Sequence, residues 1–170
     1  FVVCSQLIER KRINGIIEKF ASYLAKYSLD YSLYIIGDGY LENALKKESS
    51  DLNISEKIIF TGKLNHSEMI PILKKASALL VNTIKDNSMI SIVESIAVGT
   101  PIITTDIPLN SRYIKRYELG IVKNQWNEQD LYEIAVNNKK YVDNCIMYRY
   151  SLSTERRVDQ FIGILLHMED

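Results

Sequence analysis

Ala78-Leu79-Leu80-Val81-Asn82 is followed by Met89-Ile90-Ser91-Ile92-Val93-Glu94-Ser95-Ile96-Ala97-Val98, and after Gly99-Thr100-Pro101 by Ile102-Ile103-Thr104. These three runs decide the fold. The first is short, nearly unbroken in its apolar character and suited to a strand covered on both faces. The second has helical length, and the glycine–proline turn returns the chain to a second apolar strand. A strand, a helix and a strand at this spacing form a crossover unit with parallel strands.

The same alternation extends in both directions. Upstream, Val2–Leu7 reads as a strand, and Ile13–Tyr27 as a helix with apolar positions at Ile13, Ile16, Ile17, Phe20 and Leu24. Tyr31–Ile36 is a further strand ended by Gly37-Asp38-Gly39, and Leu41–Lys47 a helix. Lys57–Phe60 is a strand and Ser67–Ala76 a helix. Downstream, Gly120–Val122 reads as a short last strand, Glu128–Asn137 as a helix and Leu152–His167 as a long terminal helix. Short strands alternating with helices define an α/β class, here a doubly wound, Rossmann-like parallel sheet with helices on both faces. Ligands in such sheets bind outside the carboxyl ends of the strands, where the strand order reverses. The loops concerned are Gln6–Arg12, Gly37–Tyr40, Gly62–Asn65, Asn82–Ser88 and Thr105–Ser111.

Composition narrows the function classes. The 170 residues fit one domain, and 46% hydrophobic with 25% charged residues is a globular balance. Twenty-one basic residues equal the 21 acidic ones, so no overall field selects nucleic acid. The two cysteines, Cys4 and Cys145, form neither a CxxC nor a Cys/His cluster, which argues against a zinc site or a disulfide framework. Cys4, in an apolar run, reads as a small buried hydrophobe. His66 and His167 are isolated in the sequence. No apolar run reaches the about 18 residues of a membrane span. Without a signal peptide the expected setting is cytoplasmic, with the inner face of the membrane as a peripheral site. The chain opens within a strand-like run and without an initiator Met, so it reads as a fragment of a longer protein.

Three features carry the chemistry. On a wheel at about 100° per residue, Ile90, Val93, Ala97 and Val98 bracket Glu94 on an apolar face. A carboxylate placed there must meet a structural cation or a ligand with donors. Ribose hydroxyls are suitable donors, and a nearby Lys is the structural alternative. Asp86 lies in the loop before this helix, with Ser88 expected as its N-cap. The first N–H groups of the helix suit a phosphate, although Asp, Asn and Ser also belong in an ordinary capped loop. Glu9-Arg10-Lys11-Arg12 could neutralise a diphosphate leaving group or be a solvated charge run. Gly37-Asp38-Gly39 lacks the third glycine of a GxGxxG motif and does not read as a nicotinamide-dinucleotide site.

Lys11, Ile35–Gly39, Ile59–Gly62, Asp86–Met89, Glu94–Ile103 and Thr105-Asp106, in this order, resemble the C-terminal domain of the retaining glycosyltransferases of family 4, which have a GT-B fold. The similarity covers about Val2–Val122. It implies a donor domain that binds a nucleotide-diphosphate sugar, UDP- or GDP-linked, without a metal or other cofactor. It also implies retaining transfer to a glycan or lipid-linked acceptor held by an N-terminal domain outside this chain. By the same resemblance Lys11 contacts the diphosphate, Asp86 the donor sugar and Glu94 the ribose. Asn87, Ser88, Met89 and Ile90 offer backbone N–H groups to phosphate and sugar, and Gly62, Lys63 and Leu64 lie near the base. The substrate-binding set is completed by Gln6, Arg12 and Gly37. Three positions depart from the family pattern: Gln6 where Arg is usual, Asp86 where Glu is usual, and Arg12 where Gly is common. The competing classes are a non-catalytic sugar-nucleotide-binding module and a non-hydrolysing sugar-nucleotide epimerase.

Tyr141, Tyr148 and Tyr150 with Lys139, Lys140 and Arg149 suggest either membrane-surface contact or a helix edge packed on the sheet.

Overall fold

The computed structural model describes residues 1–152. Six parallel strands form one sheet: β1 (Val2–Cys4), β2 (Leu33–Ile36), β3 (Ile58–Gly62), β4 (Leu79–Leu80), β5 (Ile102–Thr104) and β6 (Gly120–Val122). Their order is β3-β2-β1-β4-β5-β6, so the winding direction reverses between β1 and β4. Among the described residues seven α-helices accompany them: α1 (Ile13–Tyr27), α2 (Glu42–Asp51), α3 (His66–Lys75), α4 (Ile90–Val98), α5 (Ser111–Arg116), α6 (Glu128–Val136) and α7 (Asn138–Tyr148). The doubly wound α/β architecture read from the sequence is the observed one.

Strand residues alternate between the two helical layers, as the pleat requires. Val3, Leu33, Ile35, Leu80 and Ile103 face a core shared with Ile16, Ile17 and Phe20 of α1 and Leu131 and Ile134 of α6. Val2, Cys4, Leu79, Val81 and Ile102 face the opposite core, built on Leu73 of α3, Ile92 and Ile96 of α4, Ile114 of α5 and Cys145 of α7. Each such aliphatic side chain contributes roughly 1.5–3 kcal/mol on burial. With both faces covered, the strands need no polar alternation.

Element ends moved where side chains or turns claimed the backbone. β1 ends at Cys4 rather than Leu7, because the Leu7 N–H donates to the Asp38 carbonyl at 2.8 Å, outside the ladder. This contact pulls the β2–α2 turn against the end of β1. There a Cβ on Gly37, whose φ is +135°, would stand 1.9 Å from the Ser5 carbonyl oxygen. Only glycine permits that approach. The helices α5 and α7 were absent from the sequence reading. The expected terminal helix Leu152–His167 lies, beyond Leu152, outside the described residues, and Leu152 itself ends a 3-10 turn, Arg149–Leu152.

Of the tyrosines near the end of the chain, Tyr141 and Tyr148 follow the packing alternative, while Tyr150 is exposed. Tyr141 is buried, and the Tyr148 ring stacks on Tyr113 with centroids 5.4 Å apart. Among the described residues, no helix is long and apolar enough to cross a membrane.

Candidate functional site at the reversal of strand order

The loops after β1 and β4 meet at the reversal point and are joined by hydrogen bonds. Thr83 Oγ1 donates to the Arg10 carbonyl at 3.0 Å, and the Ile84 N–H donates to the same oxygen at 3.0 Å. Asn82 Nδ2 donates to the Arg12 carbonyl at 3.1 Å, and an Arg10 guanidinium N–H to the Lys85 carbonyl at 3.2 Å. The result places two expected site residues in direct contact: Lys11 Nζ donates to Asp86 Oδ2. Arg10 approaches the same carboxylate at 3.7 Å. Lys11 and Asp86 are 11% and 14% exposed, so the pair is mostly removed from water. Two cations about one carboxylate leave the cluster net positive, which suits a polyanion.

Arg12 adopts φ +48° and ψ +47°, the left-handed region, between a 3-10 turn at Glu9–Lys11 and the start of α1. A side chain there costs about 1–2 kcal/mol. Glycine carries no such cost, which gives a backbone reason for its frequency at this place in the family that the chain resembles.

Beside this cluster lies an open cleft of about 470 Å³. Gln6, Gly37 and Asp38 line one side, Lys63, Leu64, Asn65 and His66 another, and Ser91 and Glu94 of α4 complete it. The Cys4 thiol lies at its floor, and burial, reinforced by the Glu94 carboxylate, pushes its pKa up to about 12. Cys4 is therefore an inert small hydrophobe, as expected.

α4 departs from the sequence expectation in its buried face, its N-cap and the partner of Glu94. The buried face of this helix carries Ile92, Ser95 and Ile96, not the face around Ile90, which is 74% exposed. Ser95 is accommodated there because its hydroxyl donates to the Thr100 carbonyl at 2.9 Å. Glu94 lies at the border of the apolar face and is 21% exposed. Its partner is neither a Lys nor an enclosed cation site. Nδ1 of His66, the first residue of α3, stands 2.9 Å from Glu94 Oε1. His66 gave no signal in the sequence, since only the packing of α3 on α4 brings the two together.

Ser88 is not the N-cap; Met89 holds that position without a side-chain cap of its own. Asn110, in the loop before α5, supplies the missing acceptor: its Oδ1 receives the Met89 N–H at 2.7 Å and the Ser88 hydroxyl at 3.3 Å. The Asn110 amide in turn donates to the Tyr113 hydroxyl at 2.6 Å. One of the backbone donors expected to face phosphate is thus already engaged. The Asn87 carbonyl accepts from the Leu109 N–H at 2.8 Å, which ties the same loop to its neighbour. The carbonyl of Gly62 receives the Gly37 N–H at 2.9 Å. Asn110 was within reach of sequence reasoning, because Thr105–Ser111 is one of the loops at the strand ends.

The expected residues therefore divide into two adjoining groups. Lys11, Arg12 and Asp86 gather where the loops after β1 and β4 join. Gln6, Gly37, Lys63, Leu64 and Glu94 line the cleft. Asn87, Ser88 and Met89 lead into α4, which Ile90 opens, with Met89 turned into the core.

Comparison with known proteins places the chain in a family. Residues 1–145 match the family model described as glycosyl transferases group 1. Over 127 residues the chain is 29% identical to the alpha-monoglucosyldiacylglycerol synthase of Streptococcus pneumoniae, covering 75% of this chain but 28% of that protein. Among solved structures, the lipopolysaccharide outer core galactosyltransferase WaaB superposes with a TM-score of 0.77 at 17% identity, covering 99% of this chain and 49% of that one. The Anabaena protein HepE, solved in complex with UDP, superposes with a TM-score of 0.72 at 14% identity over 99% of this chain and 49% of its own. The chain spans less than a third of the pneumococcal relative and about half of the two structural ones. It belongs to the group 1 glycosyl transferase family and has the Rossmann-like α/β fold of its GT-B members.

Proposed function

We propose that this chain is the donor-binding domain of a retaining glycosyltransferase and that its cleft receives a nucleotide-diphosphate sugar. The observation that carries the reading is the position of two acids at one switch point: Asp86 beside Lys11 and Arg10, and Glu94 on the adjoining cleft wall. In this reading Glu94 accepts from the ribose hydroxyls and Asp86 faces the donor sugar. Lys11, with Arg10 and Arg12, receives the diphosphate. Gln6, Gly62, Lys63 and Leu64 border the base and diphosphate, and the loop Asn87–Ile90 offers backbone donors to phosphate and sugar.

As the glycosyl–oxygen bond breaks, negative charge grows on the departing diphosphate. Fixed cations at that place stabilise it without a metal ion. A second domain of the longer protein would hold the acceptor, a glycan or lipid-linked sugar, and close over the donor. Turnover is therefore expected from the longer protein and nucleotide binding from this chain. UDP bound to the structurally similar HepE makes UDP the first nucleotide to try.

The test is calorimetric titration of the chain with UDP, GDP, ADP and CMP in EDTA, with Glu94→Ala as control. Tight binding of one nucleotide without a metal, lost in the variant, is the expected result. A folded chain that binds none of them overturns the site as assigned. A second reading, a non-catalytic module, is favoured by the engagement of Asp86 with Lys11 and by Gln6 at the cleft edge. Replacing Gln6 by Arg and Asp86 by Glu raises donor affinity if the site is a weakened transferase site, and leaves it unchanged in the module.

A further inference from the structure

The His66–Glu94 pair lies outside the roles assigned above. His66 opens α3, and its backbone is fixed by a capping box. Asn65 Oδ1 accepts the Glu68 N–H at 3.1 Å, and Glu68 Oε2 accepts the Asn65 N–H at 2.9 Å. The imidazole side chain is 78% exposed in the cleft and spans from α3 to α4 through its 2.9 Å contact with Glu94. Nδ1 is the imidazole nitrogen that faces the carboxylate, so it is the one placed to donate to it. A carboxylate has about four acceptor sites, and one imidazole N–H uses one of them.

We propose that His66 is a positioning residue for nucleotide recognition: its Nδ1–H holds the Glu94 carboxylate in the orientation that accepts ribose hydroxyls. The proposal rests on the reading above that Glu94 receives the ribose. A pair this exposed contributes little to folding. Its consequence falls on the ligand, because ordering a free Glu side chain on binding costs conformational entropy, and a carboxylate already held avoids that cost. Lys63 and Asp38 border the same cleft, but it is the His66 side chain that meets the carboxylate.

The test uses the chain and its His66→Ala, His66→Asn and His66→Gln variants, titrated in EDTA with UDP, GDP and ADP and with their 2′-deoxy forms. For the ribonucleotide that binds, His66→Ala is expected to weaken affinity about fivefold, the worth of one net hydrogen bond, while changing the 2′-deoxy form by less than about twofold. His66→Asn restores the ribonucleotide affinity, because its amide N–H lies where Nδ1–H does, and His66→Gln does not. Unchanged thermal unfolding midpoints show that the variants are folded.

Wild-type binding with no effect of His66→Ala overturns the proposal. So does an equal loss for the ribo and deoxy forms, or a failure of His66→Asn to rescue. If the wild-type chain binds a nucleotide but does not distinguish ribo from deoxy forms, the ribose role of Glu94 falls, and that of His66 with it. If it binds no nucleotide at all, the donor-site reading itself falls.

Discussion

Asp86→Asn isolates the electrostatics of the loop junction. In the free chain Asp86 neutralises Lys11 and part of Arg10. A diphosphate that engages Lys11 must compete with that carboxylate. At about 4 Å and an effective dielectric near 20, such a pair is worth about 4 kcal/mol before desolvation. The pair is mostly buried, so desolvation cancels the larger part and leaves about 1–2 kcal/mol net. Removing the competitor while keeping its shape should therefore tighten binding of the nucleoside diphosphate by about tenfold, the equivalent of 1.4 kcal/mol. The gain should shrink as salt screens the phosphates. The same substitution leaves two neighbouring cations without their counter-ion and should lower folding stability by about 1–2 kcal/mol. Calorimetry at low and high salt reads the first effect and urea unfolding the second. The outcome that refutes the reasoning is a variant that binds the diphosphate no better than the wild type while losing stability. In that case the pair is structural and the phosphates do not meet Lys11.

Other perturbations test the frame around the site. Gly37→Ala drives a Cβ into the Ser5 carbonyl at a positive φ and should destabilise the chain by on the order of 2–3 kcal/mol in urea unfolding. Arg12→Gly removes a left-handed side chain and should raise stability by about 0.5–1 kcal/mol, the relieved strain exceeding the added unfolded-state entropy. Nucleotide affinity measured on that variant shows what the Arg12 charge adds. Burial holds the Cys4 and Cys145 thiols up at about 12, while in the unfolded chain they ionise near the ordinary value of about 8.5. Between those values the unfolded state binds fewer protons, so stability should fall as pH rises, by roughly 1 kcal/mol per unit for each thiol. Burial moves the Tyr23 hydroxyl in the same direction. At pH 8 neither cysteine should react with an alkylating reagent until the chain unfolds; labelling of the folded chain would contradict the burial.

The fold was legible because the apolar runs are short, dense and separated by residues that stop a strand. α1 was located at both ends, its apolar stripe running unbroken from Ile13. β4 was overdrawn: Val81 still donates its N–H to the Ile103 carbonyl, but the ladder is regular only over Leu79–Leu80. α7 was missed because its buried positions are Tyr141 and Cys145 alone, too sparse a stripe to mark a period. α5 spans six residues with two buried ones, below the length at which a helical pattern registers.

Within the candidate site, the charged residues of the loops after β1 and β4 were visible as loop chemistry. Their pairing was not, since nothing local joins Lys11 to Asp86. The helical wheel turned α4 to the wrong side because isoleucines stand on both faces, and exposed Ile90 cannot be told from buried Ile92 by residue type. Asn110 as a borrowed cap and His66 as the partner of Glu94 both arise from contacts between distant elements.

Trp126 is the single tryptophan of the chain. Its indole N–H donates to the Val81 carbonyl at 3.0 Å, and the Lys19 ammonium lies 5.1 Å from its ring centre. Val81 directly precedes Asn82 and Thr83, the side chains that grip the loop after β1. The chain thus carries an intrinsic fluorophore wired to the loop junction of its candidate site. A buried, hydrogen-bonded indole emits toward the blue, and any rearrangement of the strand β4 exit on loading the cleft alters its surroundings. Ligand occupancy and loop movement can then be followed optically in the native chain, with no label and no substitution.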